Sequence, residues 1–308
     1  MKMNKKTVMK IVKVIFLLAV AYFLIKYFKN NIEDIKNIDF KINWSIFAIS
    51  MLFYFMYKIT LASLWHYITK LNKCNVGYFR ALTSYLYSIL GKYIPGKVFM
   101  LAARIPAYEE KDVPMRKVTI CFFIENICTL LGAAFLFLIS LLFFPNDLLK
   151  NYMWVTIILV ALFFICINPK IINFFLKKLG KLIKKEDLEI PMTYRQMVNV
   201  VILFIGNWLI VGAGFYMLVC SIYPLPISQL LFAGGIFGLS AIIGIISIFA
   251  PSGIGVREGI LIAGLILLMP DEYAVIISIV SRLWATIAEL ILIFIAFIVD
   301  RVVKSKKR

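Results

Sequence analysis

Histidine is almost missing from this sequence: His66 is the only one in 308 residues. One imidazole cannot anchor a histidine-based metal centre, and no Ser/His/Asp set can be built around it. Cysteine is sparse as well. Cys74, Cys121, Cys128, Cys166 and Cys220 form no CxxC pair, and four of them lie in apolar runs, where cysteine acts as a small apolar side chain. Neither a metal, a disulfide nor any other cofactor is expected. Acid is in short supply, with 16 Asp and Glu against 34 Lys and Arg. The carboxylates within apolar segments are isolated glutamates, and no aspartate occupies a span core. The paired acids or metal that interfacial transfer chemistry needs are therefore lacking. Long polar stretches are scarce too: the longest, 169–196, leaves no room for a separate large soluble domain.

What the sequence has is apolar length. It is 62% hydrophobic with a mean hydropathy of +0.92, and several runs approach the roughly 20 residues that cross a bilayer core. The fold class is an all-α polytopic membrane protein. Segments 11–28, 44–69, 118–144, 153–168, 197–222 and 274–299 read as spans, while 80–104 and 229–269 are apolar but interrupted. That makes about eight membrane segments in one transmembrane domain, 1–308. The start looks like a signal-peptide n-region, but no small-residue cleavage site follows, so the first span is expected to be uncleaved.

The net charge of +18 does not point to nucleic acid. The basic residues gather at the N-terminus, in 169–196 and in the tail from Arg301, as in cytoplasmic loops beside anionic lipid. The loops 145–152 and 223–228, with one lysine and no charge, belong outside. The expectation is a plasma (inner) membrane protein with both termini cytoplasmic. Segment 80–104 must then enter and leave on the cytoplasmic side, and about 25 residues at about 1.5 Å each cannot cross twice. It reads as a re-entrant hairpin with its tip near Pro95 and Gly96. Segment 229–269 begins and ends outside, as a deep hairpin or two short spans, with its tip near Pro251–Gly255. The halves start on opposite sides, which suggests an inverted 4+4 repeat: repeat A over 11–144 and repeat B over 153–299, with 169–196 a cytoplasmic linker. Interrupted segments at corresponding positions mark transporter binding sites.

The first interruption, GKYIPGKV at 91–98, matches most of a phosphate-binding loop. Val98 stands where Ser or Thr should hold magnesium, Pro95 lacks an N–H, and no parallel strand precedes it. ATP binding is not expected. A broken helix in lipid must face protein or water, and Lys92, Lys97 and Arg104 cluster here, which suggests a wet pocket or an anionic partner. The alternative for these cations is snorkelling to the headgroups. The second interruption, PSGIGVREG at 251–259, frees the backbone at Pro251, Gly253 and Gly255 and then opens a helix with Arg257 and Glu258. That is a ready anion site, or else a structural ion pair. Glu125, Arg282 and Glu289 are charges within spans. Their spacing after the two prolines suggests a Glu125–Arg282 pair, and Glu125, Glu258 and Glu289 are the proton-coupling candidates. Lys58 reads as snorkelling or locally paired, and Phe53, Tyr54, Phe55 and Tyr57 as lipid-facing or interfacial. Gly234/Gly238 and Gly255/Gly259 fit close helix packing.

GKYIPGK followed by Arg104, together with PSGIGVREG, resembles the signatures of the flippase-like family related to the membrane half of lysylphosphatidylglycerol synthase, the multiple peptide resistance factor. The likeness runs from about residue 10 to residue 300. Gly91, Pro95, Gly96, Lys97 and Arg104 match the first motif, and Pro251, Gly253, Gly255, Arg257, Glu258 and Gly259 the second. The resemblance implies importance for these positions without assigning roles. Members of that family are polytopic inner-membrane proteins; some move a lipid between leaflets, and others accompany glycolipid or envelope polysaccharide synthesis. The synthases carry a soluble aminoacyltransferase domain that this sequence lacks, so lysine transfer from tRNA is not expected.

The leading expectation is a flippase, not an enzyme, moving a phosphate-bearing phospholipid or a lipid-linked (polyprenyl-phosphate) glycan without ATP hydrolysis. Lys92, Lys97, Arg104, Arg257 and Arg282 are its substrate-binding candidates, and Gly91, Pro95, Gly96, Pro251, Gly253, Gly255 and Gly259 shape its hairpins. The alternatives are a membrane-embedded transferase and an accessory partner of an envelope glycosyltransferase.

Overall fold

A computed structural model describes residues 41–93, 98–143, 153–182, 189–246 and 255–305. The chain falls into two compact units, Met1–Lys41 and Ile42–Arg308, and the second carries all the described helices. The span at 11–28 and both hairpin tips, with Pro95, Gly96, Lys97, Pro251 and Gly253, lie outside the described residues.

Among the described residues there are helices and turns and no strand. Helix α1 is Trp44–Leu71, started by Asn43, whose side chain accepts the Ile46 N–H. Two short helices follow, α2 (Tyr78–Ser88), extended by a 3-10 turn Ile89–Tyr93, and α3 (Val98–Glu109). Helix α4 is Met115–Leu142, α5 is Met153–Cys166 and α6 is Pro169–Leu182. Helix α7, Tyr194–Cys220, opens on a capping box between Thr193 and Gln196. Helices α8 (Leu230–Ile246), α9 (Val256–Leu265) and α10 (Asp271–Ser305) complete the unit. Among the described residues, five helical stretches are long and apolar enough to cross a bilayer: α1, α4, α7, α8 with its preceding 3-10 turn, and α10. The chain is a multi-pass membrane protein. Helix α5 has only 14 residues, about 21 Å, and α6 places a helix where the sequence reads as a polar linker.

The packing has an internal order. Each half contains a long helix, two short or broken ones and a second long helix: α1, α2, α3, α4 and then α7, α8, α9, α10. Helix α1 packs on α7, α4 on α8 and α10 on α2; within the halves α2 packs on α1 and α3, and α8 on α7 and α9. Exchanging the two sets of labels leaves these contacts unchanged. Helices α1 and α7 run antiparallel, because the Asn43 N–H at the start of α1 donates to the Ser221 carbonyl at the end of α7, at 2.8 Å. Midway along the pair Tyr57 lies against Trp208, with ring centroids 6.1 Å apart.

Small residues set the closest crossings, as expected for helices associating in lipid. A Cβ on Gly234 would stand 2.9 Å from the Gly212 Cα, so α7 and α8 meet backbone to backbone. Gly238 lies against the Ala133 carbonyl of α4, and a Cβ on Gly235 would strike Ser140. The Gly234/Gly238 pattern thus packs as its spacing suggests. Gly255 and Gly259 do not: a Cβ at either would meet nothing within 4 Å.

Candidate functional site

Gly91 explains part of the first motif. It lies in the 3-10 turn after α2, and a Cβ there would come within 2.5 Å of the Met100 backbone nitrogen on α3. The two arms approach so closely that no side chain fits between them. Glycine here serves backbone contact between the two arms.

Among the described residues, three ionic assemblies enclose a buried or nearly buried carboxylate. The first joins α3 to α4. Arg104 is fully buried and forks onto Glu125, and its Nε donates to Ser88 Oγ at 2.9 Å. Its guanidinium lies over the rings of Trp65 and Tyr85, each 4.3 Å from the centroid, and of Phe122 at 5.3 Å. The second joins α9 to α10: Arg282 pairs with Glu258, whose other carboxylate oxygen accepts the Gly255 N–H at 2.7 Å. Each pair joins a short helix to the long helix that follows it, and the signs are exchanged between them. Glu125 stands ten residues beyond Met115 at the start of α4, and Arg282 eleven beyond Asp271 at the start of α10.

The Glu125–Arg282 pair anticipated from sequence does not form. Each of these residues is held instead by the short helix of its own half, α3 or α9, which packs directly on the long helix that follows it.

The third assembly crosses the halves. Glu289 on α10 is 2% exposed and receives two ammonium groups: Lys58 of α1 at 2.8 Å and Lys92 of the 3-10 turn. Tyr54 donates its hydroxyl to the same carboxylate at 3.0 Å. Lys58 is therefore neither snorkelling nor locally paired; its partner is 231 positions away in sequence, and its side chain is 12% exposed. Tyr54 and Tyr57 are buried core residues rather than lipid-facing ones. One signal was available for this assignment: Tyr54 and Lys58 are four apart and share a helix face, so one polar group on that face implies a place for the other. Lys58 lies at the centre of its helix, 14 residues after Trp44 and 13 before Leu71. The assembly is thus remote from both ends of α1.

Arg257 completes the neighbourhood. Its guanidinium lies over the Phe237 ring, 5.1 Å from the centroid. Phe237 touches Trp284 edge-on, and Trp284 touches Tyr54. An aromatic bridge therefore runs from the start of α9 to the hydroxyl bound by Glu289. In these assemblies Lys58, Lys92, Arg104 and Arg282 pair with Glu125, Glu258 and Glu289, and Arg257 adds a further cation over Phe237. A cleft of about 330 Å³ elsewhere, lined by His66, Lys70, Asn75 and Tyr78 between α1 and α2, is not part of this assembly.

Gly255 has φ +79° and ψ −45°, a conformation that side-chain-bearing residues adopt only with strain. Gly255→Ala is expected to lower stability by about 1–3 kcal/mol. Gly259→Ala, in a helix with open space around it, should raise it by about 0.5–1 kcal/mol. Thermal melting of the two purified variants checks the contrast; equal shifts would show that the turn at Gly255 is not the constraint.

Comparison with known proteins gives one family. The family model described as "Lysylphosphatidylglycerol synthase TM region" matches residues 10–293. No curated protein matched the sequence.

Proposed function

Since the chain belongs to the lysylphosphatidylglycerol synthase transmembrane-region family, whose place is in lipid and envelope biology, we propose that it is a flippase. Its substrate is a phosphate-bearing lipid, moved between leaflets without ATP hydrolysis. The observation that carries this reading is the Lys58–Glu289–Lys92 assembly: two ammonium groups from different elements converge on one carboxylate deep in an apolar scaffold. A phosphate offers the same anionic oxygens as a carboxylate, so the headgroup takes the place that Glu289 holds when the site is closed.

The matching contacts of the halves, the antiparallel α1–α7 pair and the sign-exchanged ion pairs support an inverted repeat. The interrupted pairs α2–α3 and α8–α9 are its two hairpins. Arg104–Glu125 and Glu258–Arg282 each fasten a hairpin to the long helix of its own half. The Glu289 assembly spans both halves, so it is the contact that a rocking motion breaks. Rocking uncovers Lys58 and Lys92 in turn to each leaflet, and Arg257 extends the cationic path. The lipid gradient, the membrane potential or a coupled ion supplies the driving force, and Glu289 is the carboxylate placed to exchange a proton when its lysines turn to phosphate. The cytoplasmic placement of both termini belongs to the same reading.

The test is purified protein in liposomes carrying a fluorescent anionic phospholipid, with dithionite quenching of the outer leaflet. Transfer well above protein-free liposomes is expected, and Arg257→Ala should weaken headgroup binding by about tenfold, the equivalent of about 1.4 kcal/mol. Headgroup modification without transfer would favour a transferase instead. Neither activity, with a transferase co-purifying, would favour an accessory role.

A further inference from the structure

Helix α6 follows α5 after two residues, and Asn168 in that link accepts the Lys170 N–H at 3.0 Å to start it. One edge of α6 is moored. Ile172 is buried, and Asn173 exchanges two hydrogen bonds with the backbone of Ile190, donating at 3.2 Å and accepting at 2.8 Å. Phe174 and Phe175 are 65% and 62% exposed, and Lys170, Lys177 and Lys178 are exposed around them. The order is regular: Phe174 lies one turn from Lys170 and from Lys177 or Lys178, and Phe175 shares a row with Ile171 and Lys178. Two large rings fully in water would be costly, and among the described residues the lysines that bracket them meet one carboxylate, that of Glu189 beside Lys177. Helix α5, which delivers α6, exposes Ile157, Ile158, Leu162 and Ile165 as a lipid-facing helix does. Its last exposed isoleucine is four positions before Pro169. Helix α6 therefore begins where an apolar segment ends.

We propose that α6 is an interfacial helix that binds anionic lipid: Phe174 and Phe175 sink into the headgroup–acyl boundary, and Lys170, Lys177 and Lys178 snorkel to the phosphates. The occupant of this surface is the bilayer itself. The carboxylate of Glu189, 3.6 Å from Lys177, leaves that lysine exposed and exchangeable. This inference is independent of the transport reading, because α6 contributes nothing to the Glu289 assembly.

The test replaces Phe175 with the fluorescent amino acid dansylalanine in the full chain. The protein is reconstituted in phosphatidylcholine vesicles with or without about 30% phosphatidylglycerol, an anionic fraction that creates a surface potential. Blue-shifted emission, quenched by lipid spin-labelled near the headgroup and protected from aqueous iodide, is expected in the anionic vesicles. Lys177→Glu with Lys178→Glu should cut that quenching by about fivefold or more, as should high salt. Water-like emission with full iodide access in both compositions would overturn the proposal. So would protection from iodide without lipid quenching, which would place a protein on this surface. Equal lipid quenching in both compositions, indifferent to the lysine substitutions, would leave only apolar insertion and overturn the anionic recognition.

Discussion

Glu289→Gln is expected to tighten binding of an anionic headgroup by about tenfold and to slow lipid transfer by at least as much. A tenfold change is about 1.4 kcal/mol. The substitution keeps volume and leaves an oxygen for the Tyr54 hydroxyl, but removes the charge that Lys58 and Lys92 share. With Glu289 ionised, closing the site returns both ammonium groups to a protein carboxylate and so expels the phosphate. Without it, two half-buried cations have every reason to hold the lipid. A substrate that cannot be displaced turns over slowly, so affinity and rate move in opposite directions. A purely structural ion pair behaves differently. It gives a less stable protein whose surviving molecules bind and transfer lipid as the parent does. Lipid binding by the purified variant, measured beside liposome transfer, separates the two, and unchanged affinity and rate would remove Glu289 from the mechanism.

Arg104→Ala should cost about 3–5 kcal/mol, because it strands the buried carboxylate of Glu125. That is a large part of the roughly 5–15 kcal/mol by which proteins are stable. In a detergent-solubilised melt it corresponds to a fall of about 6–15 °C. Arg104→Lys should recover little of this. A lysine cannot fork onto Glu125, bond Ser88 and spread over Trp65 and Tyr85 at once. Arg104→Met combined with Glu125→Leu should melt within about 2 °C of the parent, since replacing both partners of a buried pair with apolar groups is often neutral. Methionine also suits the aromatic walls left behind. A single Arg104→Met variant that melts like the parent would show that α3 is held to α4 by packing alone.

Four of the spans were legible because each is an apolar run of membrane length; 11–28 lies outside the described residues, and 153–168 holds a helix of only 14 residues. The structure places helices at Trp44–Leu71, Met115–Leu142, Tyr194–Cys220 and Asp271–Ser305, within a few residues of where hydropathy puts them. Of the interruptions at 91–98 and 250–259, the described flanks, the 3-10 turn Ile89–Tyr93 and the helix start at Gly255, were legible because Gly and Pro cannot be hidden in an apolar run. Helix α6 was not, since a stretch with many lysines looks like a loop until its register is wound into a helix.

Charge partners were the least legible feature. Glu125, Arg282 and Glu289 were recognisable as costly charges in apolar surroundings, but the identity of each partner depends on which helices touch. Glu289 meets Lys58 only because α10 crosses α1, and it meets Lys92 only because the turn after α2 lies against α10.

The sequence by itself determined a multi-pass helical protein and the residues whose charge must be compensated, because lipid penalises every exposed backbone group and every lone charge locally. Only the tertiary structure decided that two ion pairs close within the halves and one carboxylate gathers two lysines between them. Pairing depends on distances of a few ångströms between segments hundreds of residues apart, and those distances are set by the small-residue crossings that bring the helices together.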